Sequence, residues 1–254
     1  RGSGRCAKGD AGHGVTATTT RRGAVPTPRV AFLWHLHQPH YRPEGEPEYR
    51  LPWVRLHAAK SYYDMAWMLL RHPGVKASVN FSGGLVEQLL DYESGARDAW
   101  WRLSETPRGA LGAAEQRFVV RNFFSCSWDR LVRPHPRYAE LLALRGEKGE
   151  PDPGRFADAD WLDLVALFNL QWCGFGLAAD EPAVARLQAK IRGYSAEDIR
   201  EVISIHVSAV SRVREMWSEL ALRGQVEITA TPMYHPILPL VIDTDAVSYT
   251  HLTL

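Results

Sequence analysis

An α/β fold built on a parallel sheet is predicted by three features of the sequence. An apolar run, VAFLW at Val30–Trp34, has the character of a strand buried on both faces, and it gives way at once to a polar, proline-containing segment. A helical pattern follows and then a second β-prone run, KASVNF at Lys76–Phe81; strand, helix, strand is the crossover unit of a parallel sheet. A third run, QVEITAT at Gln225–Thr231, is rich in β-branched residues and, like the first, leads into histidine beside proline.

Taken in order, Val30–Trp34 is the first strand, and Pro39, with no N–H to donate, ends its ladder. Tyr41–Pro52 is a polar loop long enough to be functional. From Trp53 onward, Leu56, Ala59, Tyr63, Ala66, Trp67 and Leu70 recur at helical spacing, and His72-Pro73-Gly74 stops the helix. After the second strand, helical patterns occupy Leu85–Tyr92, Ala96–Leu103, Ala113–Phe124, Tyr138–Leu144, Ala159–Trp172 and Pro182–Arg192. A large helical insertion at about 85–224 therefore separates the second and third strands. Its last helix starts at a capping box, Ser195 with Asp198, and stops at Gly224. At ~1.5 Å per residue it spans on the order of 40 Å, enough to carry the chain back across the domain.

The 254 residues suffice for one large α/β domain or two small ones. The 30 Lys and Arg are scattered among 29 Asp and Glu, a formal charge of +1, so no basic stripe points to nucleic acid and a neutral or polar substrate fits better. Cys6, Cys126 and Cys173 lack both metal-ligand spacing and a disulfide framework, which predicts a reducing, cytoplasmic setting. No apolar run approaches the ~20 residues of a membrane span, and the N-terminus lacks a signal-peptide apolar segment. No cofactor and no membrane partner are expected.

Both ends are unusual. The segment 1–29 is rich in Gly, Thr, Ala and Arg, with almost no large apolar residues, and is expected to be a disordered arm. The segment 246–254, AVSYTHLTL, is similar to the translation of a transposon-end adapter, so the native sequence is expected to depart near Asp245; an ordinary β-prone tail is the alternative. The domain itself is placed at 30–245.

Ligands of α/β folds bind at the carboxyl ends of strands, where this chain places His35, His37, Gln38 and His40, and later Tyr234 and His235. Alternation along the strand puts His35 and His37 on one face and Leu36 on the other. The two strand ends set His37 and His235 at the same end of the sheet, one wall of a polar pocket. Plainer readings stand beside this one. The histidines are satisfied by backbone carbonyls; Asn80 forms a turn; His206 belongs to the core. Asp129, Asp160 and Asp163 are solvated helix faces or caps, and the helical tryptophans are packing. Trp53, Arg55 and His57 cluster at a helix entrance and are read equally as structure or function.

The motif HQP at His37-Gln38-Pro39, followed by GQVEITATPMYHPILPLV at Gly224–Val241, resembles the first two characteristic regions of glycoside hydrolase family 57. LPWVRLHAAKSYYDM at Leu51–Met65 and VNFSGGLVEQLLDY at Val79–Tyr92 are similar to its longer, amylase-type members, so the resemblance covers Val30–Asp245. HQP alone is three residues; in order with YHPILPL it becomes specific. The resemblance implies an incomplete (β/α)7-type barrel and a retaining hydrolase or transglycosylase acting on α-glucans, of amylase, glucanotransferase or branching type. It also implies a Glu nucleophile with an Asp acid/base. Those two residues belong to later regions of the family, so no catalytic residue is carried over. The chain is expected to be the N-terminal part of the enzyme and inactive alone.

What the resemblance does imply is a sugar-binding wall of His37, Gln38 and His235, with His35 beside them. Neutral imidazoles and an amide offer sugar hydroxyls both donors and acceptors. Trp34 and Trp53 offer flat apolar faces for pyranose rings. Glu227, the acid of the third strand, is read either as facing the interior with Thr229 near the substrate or as a buried carboxylate paired to an arginine. Two other functions compete. The His35-x-His37 strand end also suits the zinc site of a metal-dependent amidohydrolase, although further ligands beyond His235 are lacking. A non-catalytic carbohydrate-binding protein on the same scaffold is the other.

Overall fold

Parallel pairing of three short strands organises the chain in a computed structural model that describes residues 30–146 and 148–245. The expected arm at 1–29 and the adapter-like tail at 246–254 lie outside the described residues. Contacts divide the chain at Val30/Ala31, and the unit beginning at Ala31 is the one described below. Strand β1 (Leu33–Leu36) pairs with β2 (Ala77–Ser82), which pairs with β3 (Val226–Thr231), all parallel, in the order β1-β2-β3. The result is a mixed α/β architecture, mostly helical, on an open three-stranded sheet. Among the described residues the sheet does not close into a barrel.

The first strand corrects the sequence reading. It runs through His35 to Leu36 rather than ending at Trp34, and the sheet is buried on one face only: Leu33 is 70% exposed and His35 is exposed, whereas Leu36, Ala77, Val79 and Val226 are buried. The register with β2, Leu33 opposite Ser78 and Leu36 opposite Phe81, decides which residues are strand, not the extent of the apolar run.

The crossover between β1 and β2 consists of α1 (Trp53–His57), a π-helical turn at Ala58–Tyr62 and α2 (Tyr63–Arg71), where the spacing predicts one helix. Between β2 and β3 come α3 (Gly83–Glu93), α4 (Ala99–Glu105), α5 (Ala113–Asn122), α6 (Pro136–Arg145), α7 (Asp158–Gln171), α8 (Phe175–Asp180), α9 (Pro182–Lys190) and α10 (Ala196–Leu222). A short α11 (Leu238–Ile242) follows β3. No described helix is long and apolar enough to cross a membrane. The sequence reading omits α8. Six residues carry too little periodicity, and this helix is fixed from outside: the Asp64 carboxylate accepts from the Phe175 and Gly176 N–H groups at 3.3 and 2.8 Å.

Helix α10 forms as its ends predict. Ser195 Oγ accepts from the Asp198 N–H at 3.2 Å, and the Ser195 N–H donates to Asp198 Oδ2 at 2.7 Å. At the other end Gly224, at φ 64°, lets Gln225 N–H reach Leu220 O at 3.1 Å and its own N–H reach Ala221 O at 3.0 Å. The buried Gln225 side chain then donates to the carbonyls of Leu69, His72 and Val75, which ties the start of β3 to the end of α2. One face of α10 is core, including Val202, Ile203, Val210, Val213, Trp217 and Leu220. Trp217 stands edge-on to Trp34 at 6.4 Å and to Phe81 at 5.7 Å, so this helix covers the apolar face of the sheet.

A charged network lies inside the helical layer. Arg55 and Asp98 are both fully buried and paired through two bonds, Nε to Oδ2 at 2.7 Å and Nη2 to Oδ1 at 3.2 Å. Asp98 also accepts from Tyr92 OH at 3.0 Å and from the Trp101 N–H at 2.8 Å, where it caps α4. Arg55 Nη1 lies 2.9 Å from His206 Nδ1; because arginine only donates, that nitrogen is the acceptor. Arg55 is thus structural, and His206 is a core histidine. Asp163 is a buried anchor rather than a solvated residue: it accepts from Arg137 Nε at 2.7 Å and from the N–H groups of Gly193 and Tyr194 at 2.7 and 2.9 Å.

Candidate functional site

The face of the sheet away from α10 carries polar side chains in three rows, because alternate residues of paired parallel strands point the same way. The first row is Leu33, Ser78 and Glu227, and the second is His35, Asn80 and Thr229. In the third, Ser82 pairs with Thr231, and His37 follows one step beyond the Leu36–Phe81 pair. Hydrogen bonds run across the rows. Ser78 Oγ donates to Glu227 Oε2 at 3.3 Å, His35 Nδ1 donates to Asn80 Oδ1 at 2.8 Å, and Asn80 Nδ2 donates to Thr229 Oγ1 at 2.9 Å.

His235 arrives from the turn after β3. Its N–H bonds the Pro232 carbonyl at 2.9 Å, and its φ of 55° is the left-handed conformation that a non-glycine residue seldom adopts. The turn sits on the start of α3: the Gly84 N–H donates to the Met233 carbonyl at 2.6 Å. Glycine permits this close approach, since a Cβ on Gly83 would meet Met233 Sδ at 2.6 Å and Met233 Cα at 3.0 Å. Docked in this way, the His235 ring lies 4.7 Å from that of His35 and 4.6 Å from that of His37, while His35 and His37 stack at 6.1 Å. Burial first, and then the neighbouring His235 and His35, push the His37 imidazole below its ordinary pKa. His37 is therefore neutral at neutral pH, able both to donate and to accept.

The structure thus brings His35, His37 and His235 together at one end of the sheet, with Glu227 two rows away on the same face. Glu227 is exposed and bonded to Ser78, which corrects the reading of a buried carboxylate paired to arginine. Gln38 is adjacent but partly committed: Tyr41 OH donates to its Oε1 at 2.6 Å and its Nε2 donates to Tyr62 OH at 3.0 Å. One amide proton and one oxygen lone pair remain for a ligand. The π-helical turn at 58–62 delivers Tyr62 to this position, and such turns recur at functional sites.

The two proposed sugar platforms are not brought together with the histidines. Trp34 alternates with His35 and stands on the helix-covered face against Trp217. Trp53 sits in an aromatic cluster with Trp100 and Trp172, tilted against them at 5.7 and 5.8 Å. Asn80, read as a turn former, lies inside β2 and bridges His35 to Thr229. Ser82 and Thr231 were not singled out by the sequence; the signal was the alternation of Ser78, Asn80 and Ser82 along one strand. Among the described residues no group of three or more His, Cys, Asp or Glu is arranged to hold a metal ion, so the amidohydrolase reading lacks a ligand set.

A layer of uncharged donors and acceptors at strand ends, with a single carboxylate, suits a polyhydroxyl ligand. Comparison with known proteins bears on which one. No curated protein and no solved structure matches the chain. A family profile does, and it spans the helical segment as well as all three strands: that of Glycosyl hydrolase family 57, over residues 31–249. Since this match takes in both histidine-bearing strand ends and nearly the whole chain, the protein belongs to glycosyl hydrolase family 57.

Proposed function

We propose that the polar face is the saccharide-binding wall of a retaining hydrolase or transglycosylase acting on α-glucans, of amylase, glucanotransferase or branching type. The observation that carries this reading is the convergence of His35, His37 and His235 from two strand ends, beside a row of hydrogen-bonded Asn80 and Thr229. Family membership supplies the substrate class, and the uncharged donors and acceptors suit glucose hydroxyls. His37, His235 and Gln38 bind and orient the sugar; Glu227 accepts from a hydroxyl at the far row.

Retention needs two carboxyl groups about 5–5.5 Å apart. The three rows hold one, Glu227, so this face binds and orients while the nucleophile and the acid/base lie elsewhere in the enzyme. On this reading the chain alone binds glucan without turning it over.

The fold is read as part of a (β/α)7-type barrel with a helical insertion at about 85–224. Its support is the state of the two sheet edges. Beside β3 lies an apolar groove of about 670 Å³ lined by Phe81, Val86, Leu90, Trp217, Ile228 and Met233. Beside β1 lies another of about 390 Å³, lined by Trp34, Met65, Met68 and Phe175. An unpaired edge next to an apolar groove is where a further strand and helix add.

The test is isothermal titration with maltoheptaose, followed by product analysis on the same samples. Saturable binding without shortened or extended chains is expected. Absence of binding refutes the wall, and turnover refutes the placing of the nucleophile and the acid/base elsewhere.

A further inference from the structure

The third row of the polar face differs from the other two. In the first and second rows the polar side chains are bonded to one another, Ser78 to Glu227 and His35 through Asn80 to Thr229. In the third, the buried His37 Nδ1, Ser82 Oγ and Thr231 Oγ1 have no hydrogen-bond partner among the described residues. Ser82 is wholly buried. It is the N-cap of α3, where a serine side chain ordinarily accepts an N–H from the first turn. Here it makes no capping bond, and the Met233 carbonyl takes the Gly84 N–H instead. Buried hydroxyls without partners disfavour the fold, and native proteins keep them where a ligand or an ordered water completes them.

We propose that His37, Ser82 and Thr231 form a hydroxyl-binding subsite, in which the Ser82 and Thr231 hydroxyls and His37 together hold one or two hydroxyls of an α-glucan. The proposal rests on the glucan reading of this face and adds Ser82 and Thr231 to its ligands. The chemistry of the row points to a neutral polyol: it holds two hydroxyls and an imidazole, each able to donate and accept, and no ammonium or guanidinium for an anion. The three atoms are closed to solvent, and Thr231 leads directly into the turn that carries His235. That turn rests on Gly83 and Gly84 through Met233 and Tyr234.

The experiment is titration of the whole chain with maltoheptaose, for wild type and for the Ser82→Ala, Thr231→Val, Thr231→Ser and His37→Ala variants, with thermal melts of each. Ser82→Ala and Thr231→Val are expected to raise Kd about tenfold each, with a melting temperature equal to or above that of wild type because a partnerless hydroxyl has gone. Thr231→Ser keeps the hydroxyl and is expected to bind within about twofold of wild type. If Ser82→Ala and Thr231→Val bind as wild type does while His37→Ala does not, the row holds solvent only and the subsite is overturned, with the glucan reading intact. If Thr231→Ser fails to recover what Thr231→Val loses, the subsite is likewise overturned. If wild type binds no maltoheptaose, the glucan reading falls and takes the subsite with it.

Discussion

Replacing Asp98 with asparagine keeps the shape of the side chain and removes one charge from the centre of the protein. The carboxylate accepts four hydrogen bonds: two from Arg55, one from Tyr92 and one from the Trp101 N–H. Both members of the ion pair are wholly buried, so water cannot take over from the lost partner. Breaking such a pair from one side costs about 3–5 kcal/mol, because the remaining charge is left uncompensated. At about 2–4 °C per kcal/mol for a chain of this size, the melting temperature of Asp98→Asn falls by about 6–20 °C. Differential scanning calorimetry at pH 7.5 measures this directly. A double variant, Arg55→Met with Asp98→Leu, removes both charges and recovers part of the loss. A melting temperature for Asp98→Asn within about 2 °C of wild type would refute the account of the network, since surface pairs behave in that way and buried ones do not.

Three further outcomes follow from the geometry. The double variant Gly83→Ala, Gly84→Ala places Cβ atoms against Met233 and Tyr234 and displaces His235; maltoheptaose Kd, measured by calorimetry, rises at least about tenfold, about 1.4 kcal/mol. Tyr62→Phe removes the acceptor of Gln38 Nε2, costs about 0.5–1.5 kcal/mol of binding, and raises Kd about twofold to twelvefold by calorimetry. Stability falls on acidification. Burial holds His37, His57, His135 and His206 below the ordinary histidine pKa, so the unfolded chain takes up protons first as the pH drops below about 6.5. The contribution is complete above that pH and is lost as the pH falls through the folded values. His206 is the most deeply shifted, by burial and by Arg55, so urea midpoints of His206→Gln are expected to show a shallower acid limb than wild type.

The sequence makes legible what short-range patterns determine. The capping box at Ser195, the stop at Gly224 and the strand at Val226–Thr231 follow from residues within a few positions of each other, and the structure places them there. The pairing of His37 with His235 is legible as well, because each stands next to a proline at the end of a strand. Which face of the sheet is open is not, because an apolar run reads as buried on both sides, and only the register with β2 exposes His35 and Leu33. That ambiguity hid Asn80, Ser82 and Thr231 and let Trp34 be assigned to the sugar side. The Arg55–Asp98 pair joins residues 43 apart in sequence, and helix α8 depends on Asp64, 111 and 112 positions from the groups it caps. Spacing within a window cannot reveal such contacts.

The claim that the three-row face binds α-glucan is tested most directly by following the histidine imidazole resonances in two-dimensional NMR during titration with maltoheptaose. The account predicts saturable shifts of His35, His37 and His235 with a common Kd, while His135 and the buried His206 stay in place. Saturable binding that leaves those three resonances unmoved, or no binding at all, would contradict it.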